Sequence, residues 1–320
     1  MIPRALIAKL TSRRVVALAQ GFGSLLLIGW LVQHVSWQAS LRALAQASPG
    51  LIACGCVVYY AGVVLSCYKW RAILRIEQIQ IPLGRLVRWY LIGALANNFL
   101  PSDVGGDLGR GFYASRFAGN PIAIARSILV ERATGLGMML VLAWIGLIVV
   151  VGAATLALLL LSGLILSSIA AWVLLRAARH RLPARLQPLA RRCSAVAALY
   201  LRQPRAVALV LVLSLLFQML AGFGAWLNLR AVHAELPLLI VLLAAAITNA
   251  LGVLPIAING WGVKEAVFVS LLTPYHAPAS ALLAGMLLAR ALVLVASLVG
   301  VVPLVLERTR GGWLRRSPSQ

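Results

Sequence analysis

Acidic side chains are scarce in this sequence: seven Asp and Glu residues stand against 29 Lys and Arg, which gives a formal net charge of +22. Charged residues of both signs make up only 11% of the 320 residues, whereas a soluble domain carries about a quarter. Hydrophobic residues make up 62%, and no aqueous fold of this length hides so much apolar surface. The shortage of charge therefore excludes a soluble globular protein and predicts an integral membrane protein.

The sequence also lacks the usual patterns for metals and nucleotides. Its four cysteines form neither a disulfide framework nor a metal-ligand spacing, because three lie in one apolar run and the fourth in a basic stretch. Neither the GxxxxGK[ST] nor the GxGxxG phosphate-binding pattern is present. The basic residues lie in connections between apolar runs. They do not alternate with aromatic residues in a basic patch of the kind that binds nucleic acid. We therefore expect no cofactor, no metal and no nucleic-acid partner.

Apolar runs long enough to cross a bilayer recur along the whole chain. Two further regions, 86–120 and 238–272, are interrupted by Gly, Pro and polar residues and predict broken or re-entrant hairpins. The fold class is thus an all-α polytopic membrane protein, with about eight spans plus the hairpins in a single domain over 1–320. The simple spans are predicted at 15–32, 49–70, 133–153, 155–175, 206–229 and 279–306.

Loop charge predicts the topology, because Lys and Arg favour cytoplasmic connections. The N-terminus and the connections 69–88, 176–205 and 308–316 are basic, whereas 33–48, 152–154 and 231–237 carry almost no net charge. All basic connections lie in the cytoplasm only if the chain leaves each interrupted region on the same side of the membrane from which it entered. Both termini are then cytoplasmic. The two hairpins then enter from opposite sides, which predicts inverted pseudo-repeats over 1–153 and 154–306, followed by a basic tail over 307–320.

The first interrupted region contains helix-breaking and polar residues together. Pro101 removes a backbone donor, and Gly105, Gly106 and Gly109 permit tight turns and close backbone approach. Asp107 precedes Arg110 by three residues, a spacing that permits an ion pair, and a free helix N-terminus beside Arg110 suits a phosphate. The alternative is a self-paired helix break that binds nothing. The candidate substrate-binding residues here are Asn97, Asn98, Pro101, Ser102, Asp103, Gly105, Gly106, Asp107, Arg110, Glu131 and Arg132.

The second interrupted region carries an adjacent cation and carboxylate, Lys264 and Glu265. Adjacent side chains on a helix point about 100° apart, so each needs a partner elsewhere, such as Glu131, Arg132 or Arg290. The alternative is an interhelical charge network that only fixes packing. The candidate residues here are Asn249, Pro255, Asn259, Gly260, Gly262, Lys264, Glu265 and Arg290.

These motifs resemble the lysylphosphatidylglycerol synthase transmembrane (flippase-like) family over nearly the whole chain. In members fused to a soluble aminoacyl-transferase domain, the membrane domain is associated with moving aminoacylated phosphatidylglycerol between leaflets. The resemblance implies a stand-alone flippase-like module in a bacterial inner membrane, without the lipid-charging activity. Trp261 and Lys264 depart from the family, in which paired glycines and Arg are common. The motifs that carry the resemblance are Leu100-Pro101…Gly105-Gly106-Asp107…Arg110, Glu131-Arg132 and Leu254-Pro255…Gly260…Gly262-Val263-Lys264-Glu265.

The expected function is binding or translocation of an anionic phospho- or glycolipid, without enzymatic activity. Two alternatives stay open. One is a membrane-embedded transferase acting on a lipid-linked substrate, with Asp103, Asp107 or Glu131 as general base or metal ligand. The other is a non-transporting partner of an envelope-lipid biosynthesis enzyme, for example in a hopanoid pathway.

Overall fold

The computed structural model describes residues 35–99, 104–150, 198–253 and 260–309, with isolated positions between 29 and 33 and between 152 and 161. Within these residues the regular structure is helical and contains no strand, which confirms the all-α fold. Four of the described helical runs are long and apolar enough to cross a membrane. The spans predicted at 15–32 and 155–175 lie largely outside the described residues.

The described helices follow one another with short connections. The four candidate spans are α2, α5, α6 and the run Ala279–Glu307, which joins α9 to α10 through a 3-10 turn. The α-helices are α1 (Trp37–Ala45), α2 (Pro49–Ile76), α3 (Leu83–Phe99), α4 (Val104–Ala118), α5 (Pro121–Val149), α6 (Pro204–Ala231), α7 (Leu238–Gly252), α8 (Val263–Leu272), α9 (Ala279–Ser297) and α10 (Val301–Thr309).

Three of the long helices begin with proline, at Pro49, Pro121 and Pro204. Proline suits the first helical turn because its fixed φ is already helical and its missing N–H would have no partner there. The side chain of Asn120 also caps α5 by accepting a hydrogen bond from the Ala123 N–H at 3.1 Å. Because α5 begins earlier than the predicted span 133–153, Glu131 and Arg132 lie inside the helix.

Helix α2 continues beyond the predicted end at residue 70, so part of the predicted basic connection 69–88 was wrong. Lys69 lies within α2 and is only 6% exposed. The helix continues because Trp70, Ile73 and Leu74 are fully buried against neighbouring helices.

Glu77, which lies within the predicted connection 69–88, is also buried where α2 ends. Its carboxylate accepts hydrogen bonds from Arg126 on α5 and from the Tyr200 hydroxyl, the latter at 2.9 Å. Burial, together with this hydrogen bond, raises the pKa of Tyr200. The Tyr200 hydroxyl thus helps to hold three helical segments together.

The two interrupted regions form pairs of shorter helices, α3–α4 and α7–α8. Gly105, Gly106 and Gly109 lie within α4, so they form no tight turns. The predicted close backbone approach is present at Gly106, since a Cβ added to Gly93 would lie 2.9 Å from the Gly106 carbonyl oxygen. In the second break, Gly260 and Gly262 do adopt positive φ angles of 69° and 85°. The predicted break residues Pro101, Ser102, Asp103, Pro255 and Asn259 lie outside the described residues.

Helices α2 and α6 run antiparallel and form the most extensive described helix pair. Small residues allow this close approach, because Gly62 packs beside Phe217 and Gly224 beside Val58. Helices α3, α5, α7 and α9 pack against this pair, and α4 packs against α3 and α5. Together they enclose the space described next.

Candidate functional site: a cavity with a charged wall

A cavity of about 790 Å³ lies between α2, α3, α4, α5, α6, α7, α8 and α9. This volume lies in the usual range for small-molecule sites, about 300–1,000 Å³. Most of its lining residues are apolar or glycine, as in most small-molecule pockets. The charged residues in the lining are Lys69, Asp107, Arg110, Glu131 and Arg132, which we call the charged wall.

Arg110 is the centre of the charged wall and is only 4% exposed. Its Nη1 donates to Glu131 Oε2 at 2.7 Å, and its Nε and Nη2 donate to Asp107 Oδ1 at 3.0 and 2.6 Å. The predicted Asp107–Arg110 ion pair is therefore present. Asp107 also accepts from Arg132 Nε at 2.7 Å, which links α4 to α5.

Aromatic rings and further donors complete the surroundings of Arg110. Its guanidinium carbon lies 4.7 Å from the ring centroid of Trp70 and 4.5 Å from that of Tyr90, distances typical of cation–π contacts. The Tyr90 hydroxyl donates to Glu131 Oε1 at 2.6 Å. These contacts satisfy both carboxylates of the charged wall and hold Arg110 in one orientation.

Lys69 differs from the other cations of the wall. Its Nζ donates to the backbone carbonyl of Glu131 at 3.2 Å, and among the described residues no carboxylate lies within 4.0 Å of it. An ammonium group has three N–H donors, so donors remain for a ligand in the cavity. The wall as a whole places three cations beside two carboxylates. It can therefore bind an anion with its excess positive charge.

The second predicted group of residues forms a separate cluster. Arg290 Nε donates to Glu265 Oε1 at 2.5 Å, which identifies Arg290 as the partner that Glu265 requires. Glu265 Oε2 also accepts from the Gly262 N–H at 2.8 Å, and the Arg290 guanidinium lies 3.9 Å from the Trp261 ring centroid. The hydrocarbon part of Lys264 fills the space left by Gly252 and Gly260.

The structure places only part of the predicted residues at the cavity. Asn98 lies elsewhere, because its side chain donates to Ser297 Oγ at 2.7 Å and joins α3 to α9. Gly105 and the described residues of the second cluster, Gly260 to Glu265 and Arg290, are not part of the cavity lining. The predicted residues that do line it are Asn97, Gly106, Asp107, Arg110, Glu131, Arg132 and Asn249.

Several cavity residues were missed by sequence reasoning. Lys69 was assigned to a loop, and Tyr90 was not singled out. Gln218 and Asn228 each lie inside an apolar run. A polar residue in such a run is costly in hydrocarbon, and that cost was a usable signal for both.

Comparison with known families and proteins gives two findings. The sequence model of the family described as the lysylphosphatidylglycerol synthase TM region matches residues 14–300, which include every described helix except α10. No curated protein matches the chain.

Proposed function

We propose that this protein, which belongs to the lysylphosphatidylglycerol synthase TM region family, binds the head group of an anionic phospho- or glycolipid in its cavity and moves it across the cytoplasmic membrane. Membership of the family indicates a membrane lipid-related function, and the four apolar helical runs support an integral membrane protein. The observation that carries the finer proposal is the charged wall of an otherwise apolar cavity.

The physical argument rests on the cost of charge between membrane spans. Ionisable groups there are expensive, face the interior of the helix bundle and usually mark a substrate route. Arg110 and Glu131 are each 4% exposed, yet both line the cavity. In the proposed mechanism a phosphate contacts Lys69, Arg110 and Arg132, the acyl chains stay in the lipid, and no catalytic step occurs.

Helix order supports the proposed pseudo-repeats over 1–153 and 154–306. A long helix, two shorter helices and a long helical run occur first as α2–α5 and again as α6–α10. In each half an acid on the second short helix pairs with an arginine 25 residues later, as Asp107–Arg132 and Glu265–Arg290. Inverted repeats of this kind permit one half to rock against the other around a central site, which is the proposed route of transport.

Lipid translocation in proteoliposomes tests this function. We expect the native protein to move a head-group-labelled anionic phospholipid between leaflets, and Lys69→Met to slow the initial rate about tenfold, because a charge-assisted hydrogen bond is lost. Methionine keeps the length and apolar packing of the lysine stem. The matched control is Arg75→Met, since Arg75 is an exposed cation of the same helix outside the cavity lining.

Two results would contradict the proposal. Equal loss of transport in both variants would show that the charge of the helix end matters rather than the cavity. If folded native protein moves no lipid under any imposed gradient, translocation is wrong. Formation of a modified lipid in the same vesicles would then favour the transferase alternative.

A further inference from the structure

Arg132 is half exposed although it lies well inside a candidate membrane span. It follows Pro121, the first residue of α5, by about 16 Å along the helix axis. Half of its side-chain surface is exposed, against 5% for the side chains of Arg110 and Glu131. Charged side chains inside a span are costly and usually face the bundle interior or a hydrated cavity. The exposure of Arg132 therefore needs an explanation beyond its ion pair with Asp107.

The cavity extends around the edge of α5 at this position. Successive residues of an α-helix point about 100° apart, so Glu131 and Ala133 lie about 200° apart, measured through Arg132. All three residues line the cavity, as does Leu136. A cavity enclosed within the bundle would contact only the inward face of the helix. Glu131 is buried, whereas Ala133 and Leu136 are exposed, so the cavity reaches the outer surface on their side of α5.

Ala133 and Leu136 also belong to an exposed apolar stripe on α5. The stripe comprises Leu129, Ala133, Leu136 and Leu140, and spacings of four, three and four residues keep them on one face of the helix. Leu129 and Leu140 are exposed and lie outside the cavity lining. In a membrane span such a face contacts lipid tails, which are as apolar as leucine. The cavity and the lipid-facing surface therefore meet at Ala133 and Leu136, beside Arg132.

We propose that the cavity opens sideways into the membrane at Ala133 and Leu136, and that an anionic phospholipid enters there. Its phosphate binds Arg132, and its acyl chains lie on Leu136 and Leu140. This inference rests on the proposed lipid binding. Charge complementarity selects a lipid as the occupant, because a guanidinium beside an apolar face matches a phosphate beside acyl chains.

The order of these residues along α5 indicates which leaflet supplies the lipid. Leu136 and Leu140 follow Arg132 by about 6 and 12 Å along the helix axis. The predicted topology places the N-terminal end of α5 in the cytoplasm. A lipid with its phosphate at Arg132 and its chains on Leu136 and Leu140 then has the orientation of the cytoplasmic leaflet. The lipid is therefore loaded from that leaflet.

Photochemical cross-linking tests the opening. The photoreactive residue p-benzoylphenylalanine replaces Leu136 in the full chain, reconstituted in vesicles of equal amounts of phosphatidylglycerol and phosphatidylcholine. We expect the captured lipid to be enriched about fivefold in phosphatidylglycerol, the preference given by one arginine that attracts an anionic lipid. The matched control position is Leu216, which is an exposed leucine of α6 outside the cavity lining. There the captured lipid should match the composition of the vesicle.

Two variants assign the preference to Arg132. Arg132→Met should lower the enrichment at Leu136 to the value at Leu216, because the charge is lost while an unbranched side chain remains. Arg132→Lys keeps the charge and should retain most of the enrichment. The lysine variant also keeps a cation beside Asp107, so it remains informative if Arg132→Met fails to fold.

Membrane vesicles of opposite orientation test the loading leaflet. Phosphatidylglycerol with a labelled acyl chain is added to the outward-facing leaflet of each preparation, with the photoreactive residue at Leu136. We expect rapid capture in inside-out vesicles, in which the cytoplasmic leaflet faces outward, and delayed capture in right-side-out vesicles. Faster capture in right-side-out vesicles, or equal rates in both, would overturn loading from the cytoplasmic leaflet.

The outcomes separate the opening from the proposed function. If Leu136 and Leu216 capture the two lipids in the same ratio, the opening is wrong, and measured lipid translocation would still support the function. If the enrichment at Leu136 is present but no lipid is translocated, the opening stands and transport is wrong. An enrichment that survives in Arg132→Met overturns the assignment of the phosphate to Arg132.

Discussion

At the scale of single residues, Arg110 shows how a guanidinium is stabilised between apolar helices. Two carboxylates bind three of its nitrogen atoms, and two aromatic rings cover its faces. Replacement of one partner leaves a buried charge partly unpaired, which costs far more than loss of a surface ion pair. The proposed binding site and the stability of the helix bundle therefore depend on the same residues.

Glu131→Gln tests this dependence. We expect the free energy of unfolding to fall by about 3 kcal/mol, because Arg110 loses one of its two carboxylates while remaining buried. The matched control is Glu235→Gln, since Glu235 has an 82% exposed side chain and a surface pair with Arg230. That change should cost less than about 1 kcal/mol. Denaturant or thermal unfolding in detergent measures both, and equal losses would contradict the buried network.

At the scale of helices, the α3–α4 pair depends on backbone contact at Gly93 and Gly106. The Gly106 N–H also donates to Asn97 Oδ1 at 2.6 Å, which fixes the register of the two helices. This contact positions Asp107 and Arg110, which follow directly on α4, at the cavity.

Gly93→Ala should separate the two helices, because the new Cβ would lie 2.9 Å from the Gly106 carbonyl oxygen. Backbone cannot move aside as a flexible side chain does, so we expect a loss of about 2 kcal/mol in stability and a lower affinity for anionic lipid. Gly109→Ala is the control, since a Cβ there meets nothing within 4 Å. It should be neutral or stabilise α4 by up to about 1 kcal/mol. Denaturant unfolding of both variants in the same detergent measures these changes in stability. If Gly93→Ala is as stable as the native protein, the close contact between Gly93 and Gly106 is wrong.

At the scale of the whole molecule, the two ends of α2 face opposite sides of the helix bundle. Gln80 follows its C-terminal end, whereas Glu235 lies near its N-terminal end, where the Ser48 N–H bonds to the Ala231 carbonyl. The distribution of Lys and Arg predicts that the first end lies in the cytoplasm and the second outside.

Cysteine labelling tests this orientation. In a variant without the four natural cysteines, Glu235→Cys should react with a membrane-impermeant maleimide added to intact cells, and Gln80→Cys should react only after permeabilisation. Both side chains are exposed, so accessibility reports the side of the membrane. The reversed pattern would mean that the proposed topology is inverted, and labelling of both from outside would mean that α2 does not span.

The sequence by itself determined the membrane class, the helical fold and several helix starts, because composition, run length and proline position are local properties. It also predicted the Asp107–Arg110 pair, since residues three apart on a helix are neighbours whatever surrounds them. Likewise, the motifs at both helix breaks resembled the family to which the chain belongs.

Only the tertiary structure decided which side chains meet across helices. Lys69 and Glu77 read as loop residues, yet packing against α5 buries both. The partner of Glu265 also depends on a second helix, α9. Burial and pairing in a helix bundle are set by which faces come together, and no local spacing in the sequence encodes that.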